Sequence, residues 1–331
     1  MDLVDKNLLN IIQSEFPLTD QPYLQISRAL NISEHDLIKR LTILKQNNVV
    51  RQISAIFDTR RLGYKTTLVA MAFRQSDLHE AAMIINRHPG VSHNYAREGS
   101  YYNLWFTLAV SPQEDLSDVI GEMAIQTKAL SQRMMPTIRF FKIGVNFDMV
   151  RGKSAAHQYS PDGYGRPIDS GWNQPVPVTE SDIAAIKELQ EDLLLIDRPF
   201  DAMANRLGIT TSALFDTAKR FQEIGIMRRF SAVLHHRRAG FMANAMAVWI
   251  VPEDKSEDIG MKMAQNPAVT HCYQRPTFED WPYTHFTMVH ATTKDGCEEV
   301  IQQISSATGI RDYLVLYSTR EYKKTRVRYF V

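Results

Sequence analysis

Two stretches of the 331-residue chain carry the same three chemically active side chains at a spacing of two: His93, Tyr95 and Arg97, then His271, Tyr273 and Arg275. Alternate side chains of an extended strand share a face, so each row, led by Val91 or Val269, is expected to project together. Such a row offers a proton carrier, a phenol and an anion grip. A single row reads equally well as cross-strand pairing on a solvated sheet; its duplication favours a binding surface. A second signal is cationic. Arg51, Arg60 and Arg61 precede the first row, and Arg228, Arg229, Arg237 and Arg238, with His235 and His236, precede the second. One such cluster is usually a solvated face, but its retention in both halves points to a small polyanion that guanidinium forks can hold. Nearby aromatics (Tyr101, Tyr102, Trp105 and Phe106; Trp281, Tyr283 and Phe286) would wall a large flat ligand or simply form core.

These rows recur because the chain is written twice. A shift of 177 lays Asp5 on Asp182, Leu37 on Leu214, Arg51 on Arg228 and Arg60-Arg61 on Arg237-Arg238; 178 superposes the two rows, and 180 lays Phe106-Thr107 on Phe286-Thr287 and His285 opposite Trp105. Helical periodicity over 2–14, 22–30 and 33–46 gives a helix-turn-helix, with Ser33 as N-cap and Asp36 at N3, and the second copy repeats it over 183–194, 199–207 and 212–224. Strands at 65–73, 91–97, 104–110 and 137–145, with helices at 78–87 and 113–131, follow in the ferredoxin-like βαββαβ order; copy two repeats it over 246–318. The expected class is α+β, a tandem duplication of a helix-turn-helix (winged-helix-like) module plus a ferredoxin-like domain. Its units are 1–62, 63–150, a Gly/Pro/Ser-rich linker at 151–179, 180–239, and 240–331 with a basic tail. That tail, residues 311–331, holds six basic and two acidic side chains and reads as a lid or as a frayed end.

Composition excludes several classes. A formal charge of +1 gives no global field for coating nucleic acid or membranes, and 44% hydrophobic with 23% charged residues is ordinary globular chemistry. Cys272 and Cys297 are too few for a disulfide framework, and no run approaches the ~18 apolar residues of a membrane span, so a cytoplasmic location is expected. Residues 1–50 carry five basic against six acidic side chains, and 180–225 five against nine. The helices that would enter a DNA groove therefore lack the cations that displace counterions, and they open without an Arg or Asn fork. Packing and dimerisation elements are the better reading of these helices.

A helix-turn-helix joined to a ferredoxin-like domain resembles the Lrp/AsnC regulators across nearly the whole of both copies. The narrower stretch His88-Pro89-Gly90-Val91-Ser92-His93-Asn94-Tyr95-Ala96-Arg97-Glu98, followed by Tyr102-Asn103-Leu104-Trp105-Phe106-Thr107, is similar to the siroheme decarboxylases, an Lrp/AsnC-like family of haem d1 and alternative haem biosynthesis. Met227-Arg228-Arg229-Phe230-Ser231-Ala232 and His235-His236-Arg237-Arg238-Ala239-Gly240 resemble the partner-subunit pattern. Copy two departs from the first match, with Asn266 for His88 and Gln274-Arg275-Pro276 for Ala96-Arg97-Glu98. The resemblance implies a fused carboxy-lyase that removes two acetate carboxyls from siroheme to give 12,18-didecarboxysiroheme without a cofactor, the iron belonging to the substrate. It implies His93, Tyr95, Arg97, His271 and Tyr273 as catalytic groups, with His93 or His271 as proton donor or iron ligand and His235 and His236 as alternative axial ligands. The arginines at 51, 60, 61, 228, 229, 237, 238 and 275, with Trp105, would hold the substrate. The partners expected are siroheme, a second copy of the chain as homodimer, and transient contact with downstream tetrapyrrole enzymes, with neither DNA nor membrane. The competing expectation is a DNA-binding regulator that senses a small anionic ligand through its β domains.

Overall fold

The computed structural model describes residues 1–14, 16–143, 147–150, 153–154, 174–234 and 243–331. Copy one runs α1 (Leu3–Ser14), α2 (Pro22–Ala29), α3 (Glu34–Gln46), β1 (Val50–Phe57), β2 (Lys65–Ala72), α4 (Leu78–Ile85), β3 (Val91–Glu98), β4 (Leu104–Val110), α5 (Leu116–Thr127), β5 (Ser131–Met135) and β6 (Arg139–Ile143). A short hairpin of β7 (Phe147–Asp148) and β8 (Lys153–Ser154) follows. Copy two runs α6 (Glu180–Leu189), α7 (Asp201–Leu207), α8 (Thr211–Glu223), β9 (Met227–Leu234), β10 (Ala243–Trp249), α9 (Ser256–Gln265), β11 (Val269–Gln274), β12 (His285–Ala291), α10 (Lys294–Thr308) and β13 (Tyr313–Lys324). The expected α+β duplication is borne out, and the caps explain its helical half. Ser33 accepts from the Asp36 amide at 3.1 Å, and its counterpart Thr210 accepts from Ala213 at 3.2 Å. The turn before each cap needs a left-handed residue, supplied by Asn31 (φ 54) in one copy and Gly208 (φ 67) in the other.

Within each copy the four ferredoxin-like strands lie in the order fourth, first, third, second, as β5-β2-β4-β3 and β13-β10-β12-β11. The chain then does what the sequence reading did not anticipate. Each copy's last strand continues and pairs with the second strand of the other copy: β13 leaves β10 after Tyr317 and runs antiparallel to β3, and β6 pairs with β11. Of the stretch expected as copy one's own fourth strand, 137–145, the described strand Arg139–Ile143 therefore joins copy two's strands. β5, at the end of the expected helix 113–131, fills the place beside β2. Pro136 interrupts the passage from β5 to β6, where Ile138 donates to the Gln274 carbonyl at 2.8 Å, so the nine strands curl back towards their start.

Side chains lock this exchange. Phe141 of β6 is buried in the helix-side core of copy two, lying so close to α9 that a Cβ on Gly260 would sit 2.3 Å from its ring. Tyr322 of β13 occupies the matching place in copy one, packed against that copy's core and stacked on His79 at 5.7 Å. A further cluster, including Tyr102, Trp105, Trp281, Phe286 and Leu316, joins the two copies directly. The helical modules are also fused: β1 and β9 form an antiparallel ribbon between them, and one core takes Leu8, Leu37, Ile186, Leu214 and Phe230 from both. Both ribbon strands lie in the stretches read from sequence only as basic junctions. The tail is neither loose nor frayed, since Tyr329 is buried and bonded to Thr59 at 2.7 Å, and the Phe330 amide donates to the Tyr64 hydroxyl at 2.7 Å.

Candidate functional site

One cavity of about 680 Å³ lies between the ribbon and the long sheet, within the size range of small-molecule sites. Its lining takes His93, Tyr95, Arg97 and Trp105 from copy one's sheet, and His271, Tyr273 and Arg275 from copy two's. The ribbon and the turn after β1 add Arg51, Arg60, Arg228 and Arg229. Eleven of the sixteen residues expected to act are thus brought together. Arg61 is not among the lining residues; its guanidinium lies over Gly225 and donates to the Ile224 carbonyl at 2.5 Å, stapling the turn between α8 and β9. His235, His236, Arg237 and Arg238 lie outside the described residues.

The rows are built differently from simple alternation. A β-bulge falls between Val91 and His93, and another between Val269 and His271. Each bulge turns the valine into the helix-side core while its histidine faces the cavity. The inserted residue has a use. Ser92 Oγ lies 3.1 Å from His93 Nδ1, and Thr270 Oγ1 lies 3.0 Å from His271 Nδ1, so the same nitrogen of each ring is held to the protein and Nε2 is the other. The ladders also correct the register of the repeat by one residue. Tyr95 faces Trp105 and Tyr273 faces Phe286, so Phe286 rather than His285 stands where Trp105 does. His285 instead points to the helices and stacks on Phe141 at 5.4 Å. A slip of one moves a whole strand to its other face.

Each arginine of the rows crosses to the other copy. Arg97 donates to the Leu316 carbonyl at 3.1 Å, and Arg275 donates to the Met135 carbonyl, leaving the Nε of each buried with donor capacity unused. Burial pulls both guanidinium groups down to about 10, still charged at neutral pH. Arg228 is aligned by Asp58, which accepts from its Nε at 3.2 Å and its terminal nitrogen at 2.8 Å. Burial, reinforced by Lys324, holds His93 down to about 3, and burial with Arg228 holds His271 down to about 4. Both imidazoles are therefore neutral at pH 7. Burial raises the phenols, Tyr273 to about 12 and Tyr95 further, with Glu321 adding to the effect on Tyr95. The phenols keep their protons.

The aromatic wall divides. Trp105 and Phe286 line the cavity, whereas Tyr102, Trp281 and Tyr283 pack behind them and Tyr101 is exposed. Trp105 and Trp281 meet at 5.2 Å, and Asp280 anchors that cluster through Tyr102 at 2.5 Å and Arg133 at 3.0 Å. Sequence reasoning missed His290, Lys324 and Arg326, which also line the cavity. Arg326 comes from the tail and donates to Ser54 and Ala55 of β1 at 3.1 and 2.9 Å. The net charge of that tail was the available signal, but nothing local showed that it threads under the ribbon. Several cations of the helical modules are spent in ion pairs: Arg40 with Asp2, Asp5 and Asp36, Lys45 with Asp192, Arg206 with Glu188 and Arg220 with Asp182.

A duplicated helix-turn-helix and ferredoxin-like chain with one shared, arginine-lined cavity defines a fused, ligand-binding relative of the AsnC proteins. Accordingly, the family model for the AsnC-like ligand binding domain matches residues 61–142 and 238–323, and that for the siroheme decarboxylase NirDL-like HTH domain matches 5–51 and 182–228. The chain belongs to the siroheme decarboxylase family. It is 38% identical to the siroheme decarboxylase of Hydrogenobacter thermophilus over 98% of this chain and 94% of that one, and 30% identical to the NirDL subunit of Paracoccus pantotrophus over 98% and 96%. The solved structure of the siroheme decarboxylase NirDL in co-complex with an iron-uroporphyrin III analogue superposes with a TM-score of 0.72 at 33% identity, covering 99% of this chain and 94% of that one.

Proposed function

We propose that this cavity binds siroheme and that the chain removes two of its acetate carboxyls, giving 12,18-didecarboxysiroheme for haem d1 or an alternative haem route. The observation that carries this reading is the single cavity lined by both His-Tyr-Arg rows and by further arginines from the ribbon. Siroheme is a flat iron macrocycle with eight carboxylates, and forked cations converging from two sheets can grip several arms at once. Each decarboxylation breaks one carbon–carbon bond, releases carbon dioxide and leaves the electron pair in the ring system. A proton then completes the methyl group, with no net oxidation and no added cofactor.

The neutral histidines suit a bond from Nε2 to the substrate's iron, because Nδ1 is already held. Tyr273 and Tyr95 keep their protons at pH 7 and are the donors we assign to the methylene carbons. Arg97 and Arg275 orient the carboxylates, and the apolar surface of Trp105 and Phe286 favours loss of charge as carbon dioxide departs. Anaerobic incubation with siroheme followed by mass analysis tests this: product lighter by two carboxyl groups is expected, and unchanged siroheme overturns it. A carrier would shift the visible spectrum without changing the mass.

A further inference from the structure

The two half-sites are built from equivalent strands but are not chemically equal. In copy one the Tyr95 hydroxyl points to Glu321 Oε2 at 3.4 Å, and the same carboxylate takes Arg51 through Oε1 at 3.3 Å. Arg51 also donates to the Lys324 carbonyl. In copy two the position equivalent to Glu321 is Phe140: Glu321 faces Tyr95 in its ladder as Phe140 faces Tyr273 in the other. Phe140 packs edge-on against Tyr273 at 5.4 Å, and Arg60 lies over its ring at 4.6 Å. Among the described residues nothing hydrogen-bonds the Tyr273 hydroxyl. The carboxylate of this half-site, Asp58, is turned to Arg228 and to the amides of Arg60 and Arg61.

We infer that Glu321 is a positioning residue that makes the two decarboxylations unequal, the Tyr273 half-site reacting first and the Tyr95 half-site second. The inference rests on the proposed function. The contact of Tyr95 with Glu321 is long, so its hold is electrostatic more than directional. A fixed carboxylate beside the phenol makes that phenol a weaker acid, draws the Arg51 fork away from the substrate and repels an incoming acetate. At Tyr273 an uncharged ring stands in its place, and the phenol is free to meet the substrate. Both steps have the same chemistry, loss of carbon dioxide and gain of a proton, so the difference lies in what surrounds the two donors.

The test is an anaerobic single-turnover time course with siroheme, following species that have lost one and two carboxyl groups by mass. The intact chain is expected to accumulate the singly decarboxylated species, its second rate constant at least tenfold below its first. In Glu321→Gln the ratio should shrink to threefold or less because the second step quickens. Phe140→Glu, which writes the copy-one arrangement into copy two, should slow the first step at least tenfold. Misfolding lowers the amount of product formed, while the molecules that fold still report the variant's own ratio of rates, so the ratio isolates the role of Glu321. Equal rates in the intact chain, or an unchanged ratio in Glu321→Gln with product still formed, overturn this inference alone. No mass loss in the intact chain overturns the proposed function and this inference with it.

Discussion

Arg97 reaches across from copy one to donate to the Leu316 carbonyl of copy two at 3.1 Å. With Arg275 doing the same to Met135, each copy's anion-binding fork is also a strut between the copies, and site and fold are held by the same two side chains.

The first prediction follows from that double role. Arg97→Lys and Arg275→Lys keep a charge but lose the planar fork, so kcat/KM for siroheme should fall at least tenfold. The destabilisation expected is about 1–3 kcal/mol, because a buried carbonyl loses its charged donor. Steady-state rates and urea midpoints measure the two effects separately. A lysine variant with unchanged kcat/KM contradicts the binding role.

Acid should unfold the ligand-free protein early. His93, His271, His285 and His290 are held down by burial to between about 3 and about 4. Below the ordinary histidine value near 6.5 the unfolded chain binds protons that the folded chain refuses, so stability falls as pH drops from about 6.5 toward 4. Each such histidine contributes up to about 1.4 kcal/mol per pH unit to the slope. Urea midpoints across that range should show the loss.

The strand exchange makes one copy's core depend on the other. Phe141→Ala should destabilise by about 3–5 kcal/mol, and the loss should appear in copy two, where the ring is buried. Amide exchange by mass spectrometry would show faster exchange in α9 and β11. Faster exchange confined to copy one contradicts the exchanged topology.

Much of this was legible in the sequence, and the failures have physical causes. The duplication, the caps at Ser33 and the strand rows follow from local chemistry that side-chain types report directly. The bulges at Ser92 and Thr270 do not, because an inserted residue leaves the composition of a strand unchanged while reversing which face Val91 and Val269 take. The exchange of β6 and the second half of β13 is equally silent, since a strand reads alike whichever partner it pairs with. Lys324 and Arg326 reach the cavity only through that exchange.

Duplex DNA should not be a ligand. The basic side chains Arg40, Lys45, Arg206 and Arg220 are already paired with carboxylates, and both helical modules carry more acidic than basic side chains, which opposes displacing counterions from phosphate. Fluorescence anisotropy with a labelled duplex at about 150 mM salt should show no binding below about 100 μM protein. Tight binding that weakens steeply with salt contradicts this reading.

The central claim, one macrocycle held between two copies of a His-Tyr-Arg row, is tested most directly by anaerobic titration of siroheme followed in the visible spectrum. One siroheme per 331-residue chain is expected, with turnover falling more than tenfold in at least one of His93→Ala and His271→Ala. Two siroheme molecules per chain, or unchanged turnover in both variants, would contradict it.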